Sequence, residues 1–272
     1  MGDRLRPLWD FDDLDATEGR FRAQLELETT DSGRAEVLTQ LARVEGLRGR
    51  FENCDALLDD AEALGGAEAR VLLERGRRER SSGQPGAGLA QFEQAFERAQ
   101  ENGETVIAVD AAHMLAIVDD SDAWTARGVE IAAQSDDPGV RYWLGPLYNN
   151  LGWSRYDAGD AAGALAAFDL ALAAREQDDS RPHDVEIARY AVGKALRALG
   201  RTDEAAAAHE QCVAWADRAG VDDTYFHEEL AEDYAALGRH AEAQEQAREA
   251  LAVAAEDDSA RVRRLRQLAD LS

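Results

Sequence analysis

The sequence predicts an all-α fold built from repeated helical hairpins. Two observations of composition and one of spacing lead there. Of the 272 residues, 53 are Ala, against 5 Pro and 7% aromatic side chains. That balance suits close-packed helices better than sheets, because Ala is the best helix former and strands draw on β-branched and aromatic residues. With 45% apolar residues the chain can bury a substantial core. Finally, Gly49, Gly83, Gly159, Gly200 and Gly238 are each followed by the same sequence of small and large side chains, at intervals of 34, 76, 41 and 38 residues. The widest interval accommodates two repeats of about 38 residues, and a period of this size marks a stack of two-helix units.

Residues 1–34 form an N-terminal segment with a flanking helix over Leu14 to Glu28. Six repeats occupy residues 35–256, numbered here so that the turn glycine is position 15. In the first, Leu38 and Leu41 precede Gly49, and Phe51, Cys54, Leu58 and Ala61 follow it. In the second, Gly76 at position 8 precedes Gly83, and Gly88, Phe92 and Ala95 follow. The third is degenerate. Ala108, Ala111 and Ala112 keep the first helix, but Trp124 and Gly128 fall where a small residue and a large one belong. Its second helix is therefore expected to slip by a residue, after a shorter turn around Asp119-Asp120-Ser121-Asp122.

The fourth repeat is the most regular, with Tyr148, Leu151, Gly152, Gly159, Ala164, Phe168 and Ala171 at positions 4, 7, 8, 15, 20, 24 and 27. In the fifth, Gly193, Gly200, Ala205, His209 and Cys212 hold positions 8 to 27. In the sixth, Leu230, Ala231, Gly238, Ala243, Ala247 and Ala250 do so. Spacings above 34 call for longer helices in the later repeats. Pro138 and Pro182 mark loops between repeats, and Pro146 opens or kinks the fourth repeat's first helix, since Pro lacks the amide a helix interior needs. Residues 257–272 read as a capping helix, with Val262, Leu265 and Leu268 on one stripe.

Charge and motif content narrow the function. Thirty basic against fifty-five acidic residues give a net charge of −25, so binding to nucleic acid or anionic lipid, which relies on cations displacing counterions, is disfavoured. Two cysteines cannot make a disulfide framework. Together with the lack of an apolar N-terminal stretch or any long apolar run, this predicts a cytoplasmic protein. His227-Glu228 starts like a helical zinc signature, but Ala231 stands at the second ligand position, and His209-Glu210 ends in Val213. Gly193-Lys194 lacks the flanking residues of a phosphate loop. Asp119, Asp120 and Asp122 lack the alternation of a calcium loop and suit helix capping. The expectation is a protein that is not an enzyme, with no cofactor and no metal, in which Cys54 and Cys212 are core residues.

The repeat pattern strongly resembles the tetratricopeptide repeat, across about four-fifths of the chain. The resemblance implies a right-handed α-α superhelix, with ligands bound on a concave face lined by positions 2, 5, 9, 12 and 13 of each repeat's first helix. Here position 9 reads Arg43, Arg77, His113, Trp153, Lys194 and Glu232. Position 12 reads Gly46, Arg80, Ala116, Tyr156, Arg197 and Ala235, and position 5 includes Asn149 and Tyr190. Five Arg or Lys at positions 9 and 12 of a strongly acidic chain, with three aromatic rings among them, point to a peptide groove. Arg forks onto carboxylates, rings supply rigid contact area, and Asn149 or Asn150 can pair with a peptide backbone.

The expected ligand is an acidic or C-terminal peptide of a protein partner, held by Arg43, Arg77, Arg80, Asn149, Asn150, Trp153, Tyr156, Tyr190, Lys194 and Arg197. The opposing reading makes Arg77 and Arg80, interleaved with Glu74 and Glu79, an ion-pair network on a solvated helix face. Asn150 and Lys194 fall on positions of the carboxylate clamp found in chaperone-binding members. The third repeat has no Lys or Asn in its first helix, however, and Ala198 stands where a basic residue belongs, so the clamp is incomplete. A self-associating scaffold and a peptide-responsive sensor acting through a separate output protein are the alternatives, and homo-oligomerisation is left open.

Overall fold

The computed structural model describes residues 3–83, 86, 88–119, 122–178, 181–254 and 259–271. Among these, every regular element is a helix. Contacts within the chain divide it into two units, residues 1–147 and 148–272.

The first unit opens with a single 3-10 turn over Arg6–Leu8, followed by α1 (Leu14–Leu27), α2 (Asp31–Leu47), α3 (Phe51–Leu64), α4 (Glu68–Ser81), α5 (Leu89–Asn102), α6 (Thr105–Val118), α7 (Asp122–Ala133) and α8 (Pro138–Arg141). Helices α2, α4 and α6 are the first helices of three hairpins, and each packs against the next. Helix starts are capped where the sequence offers an oxygen. Asp13 accepts from the amide of Ala16 and Thr30 from that of Gly33, satisfying donors with no partner inside the helix. The hairpin turn is set by Gly49, whose φ of +71° is a left-handed conformation that other residues adopt only under strain.

Helix α9 (Leu144–Asp157) runs from the end of the first unit into the second, which continues with α10 (Ala161–Arg175), α11 (Pro182–Ala198), α12 (Thr202–Ala219), α13 (Thr224–Ala236), α14 (His240–Val253) and α15 (Ala260–Ala269). Pro138 and Pro182 stand in the first turns of α8 and α11, and Pro146 opens α9 rather than kinking it. The longer helices foreseen for later repeats are found in the fifth only, where α11 and α12 have 17 and 18 residues, whereas α13 and α14 of the sixth have 13 and 14 and α2 of the first already has 17. The capping helix is present as α15. Its Val262, Leu265 and Leu268 are buried, and Leu265 and Leu268 pack with Ala231, Ala247 and Ala250.

Both units share one packing device. The glycine at position 8 leaves a socket for the ring at position 24. A methyl group on Gly76 would stand 2.6 Å from the Phe92 ring, and one on Gly152 or Gly193 would collide with Phe168 or His209. Close helix approach of this kind requires Gly on one side and a flat filler on the other. The third repeat inverts the arrangement. A methyl on Gly128 would meet Ala112 and Leu147, so small residues face each other and Leu147 fills the remaining space.

One expectation is corrected. The turn before α7 is not shorter, because the bounds of α6 and α7 leave the same three-residue interval as those of α2 and α3. Asp120 and Ser121 lie outside the described residues. The interval between α4 and α5 is longer, seven residues, because α5 begins only after Gly88, whose Cα lies so near the Gly76 carbonyl that a methyl there would be 2.7 Å from its oxygen.

Candidate functional site

In the first unit the position-9 and position-12 residues of α2 and α4 converge on a cavity of about 170 Å³, lined among others by Arg43, Gly46, Glu74, Arg77, Arg80 and Ser81. Their charges are spent unequally. Arg77 pairs with Glu74 at 2.5 Å and with Asp110 of α6. Burial opposes its charge, yet Asp110 and Glu74 hold its proton more tightly than usual, and Asp110 is in turn held below the ordinary carboxylate range. Arg43 lies 3.9 Å from Glu74 and stacks over the rings of Trp9 and Phe11, at 5.3 and 5.5 Å. Burial and the neighbouring Arg77 lower its pKa. Arg80 is exposed and makes no ion pair among the described residues. Glu74 is 3% exposed, and its second carboxylate oxygen has no hydrogen-bond partner among the described residues.

In the second unit the cations at these positions are fully engaged. Lys194 meets Glu229 at 2.5 Å, while Arg197 bonds Asp233 at 2.7 Å and also pairs with Glu229. Burial raises the pKa of Glu229, but Arg197 and Lys194 outweigh it and leave the group below its ordinary value. Asp233 is completely buried. Its other oxygen faces Nδ1 of His209 at 2.5 Å, while Nε2 of the same ring donates to the carbonyl of Tyr190 at 3.1 Å. The ring residues form two groups. Trp153 stands edge-on to Tyr156 and to Phe168, at 5.6 and 5.0 Å, and Lys194 lies over the Tyr190 ring at 5.6 Å. Asn149 and Asn150 occupy the same helix, α9, and are half-buried. The sequence-derived residues are thus brought together as two separate sets, Arg43, Arg77 and Arg80 in one unit and the other seven in the next.

Sequence reasoning missed the carboxylates that neutralise these cations, and a signal for them exists. Asp110 lies 33 residues beyond Arg77, Glu229 lies 35 beyond Lys194 and Asp233 lies 36 beyond Arg197, each about one repeat on. Among the described residues no group of three or more His, Cys, Asp or Glu is placed to hold a metal. No described helix is long and apolar enough to cross a membrane. Cys54 and Cys212 are buried free thiols, and burial pushes the Cys54 pKa up to about 12 and raises that of Cys212 as well.

Neither a family model nor a curated protein matches the chain. Solved structures do. A tetratricopeptide repeat protein from Parabacteroides merdae aligns over 98% of this chain and 96% of its own, at 14% identity and a TM-score of 0.53. The chain has the tetratricopeptide-repeat (TPR) fold. A Rap protein complexed with competence and sporulation factor shares that fold with a TM-score of 0.57, at 16% identity, over 96% of this chain and 84% of its own. A signal transduction ATPase with a TPR sensor, from Pyrococcus horikoshii, aligns at 13% identity with a TM-score of 0.60, over 97% of this chain but 42% of the ATPase. Against this TPR frame, positions 9 and 12 fall on the first helix of each hairpin, as the register requires.

Proposed function

We propose that the chain is a non-enzymatic TPR module that binds a peptide segment of a protein partner, and that the segment carries an acidic side chain or a C-terminal carboxylate. The observation that carries this reading is Arg80, an exposed guanidinium with no ion-pair partner among the described residues, beside a cavity of about 170 Å³ that Arg43 and Arg77 also line. A planar guanidinium can fork onto a carboxylate with two parallel bonds. Long-range attraction does not contribute, because the rest of a molecule of net charge −25 repels an acidic peptide. Short charge-assisted bonds supply the affinity, and association runs at ordinary rates. In the second unit, Trp153, Tyr156 and Tyr190 offer ring surface and Asn149 and Asn150 offer amides, while Lys194 and Arg197 serve to hold α11 against α13.

The sensor reading draws support from two TPR proteins of like fold, one solved with competence and sporulation factor and one whose repeats are described as a sensor. It requires the same peptide site together with a separate output protein. The test is a peptide array probed with wild-type protein and the Arg80→Glu variant, at low and at high salt. Acidic sequences should be enriched, weakened by salt and lost in the variant. Enrichment of Lys- and Arg-rich sequences, or capture unchanged in the variant, would favour a scaffold that works through its acidic surface.

A further inference from the structure

Residues 3–11 lie across the first helices of the first unit, far from them in sequence. Asp3 pairs with Arg70 of α4 at 2.9 Å, and Arg4 with Glu28 and with Glu36 of α2 at 2.6 and 2.8 Å. Leu5 is 1% exposed and belongs to a cluster with Phe21, Val37, Leu41 and Val44. The Arg6 guanidinium sits 3.9 Å from the centre of the Tyr142 ring, just beyond α8. Trp9 donates from Nε1 to Gln40 of α2 at 2.8 Å and stacks on Phe11, and both rings face Arg43. The segment therefore touches positions 2, 6 and 9 of the first repeat and position 2 of the second, the side of the first helices that bounds the cavity beside Arg80.

Its grip is of a particular kind. One apolar side chain is inserted fully, whereas Arg4 is 45% exposed and Phe11 52% exposed. Backbone order comes from hydrogen bonds inside the segment, Arg6 to Asp3, Leu8 to Leu5 and Trp9 to Arg6, and from α1, where Thr17 bonds the amide and carbonyl of Asp10 and Arg20 donates to the carbonyl of Leu8. A short stretch folded about one 3-10 turn, with one buried anchor, a cation on a ring and a Trp indole N–H on a side-chain amide, has the make-up of a bound peptide. From this we infer that the face formed by α2, α4 and the residues after α8 is a peptide-binding surface and that residues 3–11 are its built-in occupant. A partner must displace the segment before Arg43 can turn from Trp9 and Phe11 toward an external carboxylate. The inference rests on the binding reading above, and it adds that binding in the first unit is held in check from within the chain. Apparent affinity then falls by the fraction of molecules in which the segment is released.

The probe is a fluorescein-labelled synthetic peptide of residues 3–12, titrated by anisotropy into the full chain and into the full chain carrying Leu5→Asp with Trp9→Ala. The doubly substituted chain should bind the peptide about tenfold more tightly than wild type, or better. A peptide carrying the same two changes should not bind. Equal binding by both chains, or binding by neither with helicity retained, would overturn the inference. If the substituted chain loses its helicity, hydrogen exchange on the wild type decides. The amides of Arg6, Leu8 and Trp9 should exchange by local opening while those of α2 stay protected, whereas exchange of the two sets together would make the segment a fixed layer of the fold. The probe carries Asp3, Asp10 and Asp12, and the peptide with both changes keeps these carboxylates, so binding by the first and not the second separates the inference from the acidic-peptide reading.

Discussion

The two units place cations at the same repeat positions and use them differently. In the second, Lys194 and Arg197 are tied to Glu229 and Asp233 one repeat on, and a buried imidazole closes the network. In the first, Arg77 is tied to Asp110 in the same way, but Arg80 is not. The residues 33 to 36 places beyond Arg80 are His113, Met114, Leu115 and Ala116, none of them a carboxylate. Repeat position therefore fixes where a cation stands, and the side chain one repeat later fixes whether it joins helices or remains available to a ligand.

That contrast can be broken most severely at Asp233. Asp233→Ala leaves the Arg197 guanidinium without one partner and His209 without its carboxylate in a buried setting, and should cost about 3–5 kcal/mol in urea denaturation, the usual loss when one member of a buried ion pair is removed. A cost below about 1 kcal/mol, the range of exposed pairs, would place the network in solvent. The packing frame should not share the contrast. Gly76→Ala in the first unit and Gly152→Ala in the second each push a methyl group into a phenyl ring. Each should cost about 1–3 kcal/mol by overpacking, measured by the same titration. A large difference between them would show that the units differ in their frames as well as in their charges.

The frame was legible in the sequence because each of its parts is a local size requirement. Gly152 with Phe168, and Gly76 with Phe92, recur at a fixed offset of 16 residues, each glycine leaving room for the ring. Turn glycines, the opening prolines and the stripe Val262, Leu265 and Leu268 were readable for the same reason. The charges were less so. Reading Arg77, Lys194 and Arg197 down one helix shows a basic face, whereas their partners sit on the next hairpin and appear only when positions one repeat apart are compared. Residues 3–11 carried no signal at all, since Leu5, Arg6 and Trp9 belong to no repeat and their neighbours, from Phe21 to Tyr142, are set by the fold and not by a repeat offset.

Acid should separate the units. Burial drives the pKa of His113 in α6 down to about 4 from an ordinary 6.5, with Asp110 acting the other way. The unfolded chain therefore takes up a proton that the folded chain refuses, and first-unit stability falls as the pH drops from 6.5 toward 4. Glu229 is a depressed carboxylate, so its contribution persists above its ordinary 4.5 and is lost only as the pH falls below that. Hydrogen exchange should show α6 weakening between pH 6.5 and 4.5 while α13 keeps its protection. Simultaneous loss in both would contradict the assignment. The smallest effect on stability belongs to Arg80→Glu, expected within about 0.5 kcal/mol of wild type by thermal unfolding, as for a surface change that breaks no contact. A larger loss would reveal a structural partner for Arg80.

The central claim, that Arg197 is a joint between helices and Arg80 is not, is tested most directly by a double-mutant cycle. Arg197→Gln and Asp233→Asn, singly and together, are compared by urea denaturation, with Arg80→Gln and Asp233→Asn as the reference cycle. Residues in one buried network should couple by about 1–3 kcal/mol, and the reference pair should be additive within about 0.5 kcal/mol. Additivity of Arg197 and Asp233 would contradict the account and return Arg197 to the cations available for a ligand.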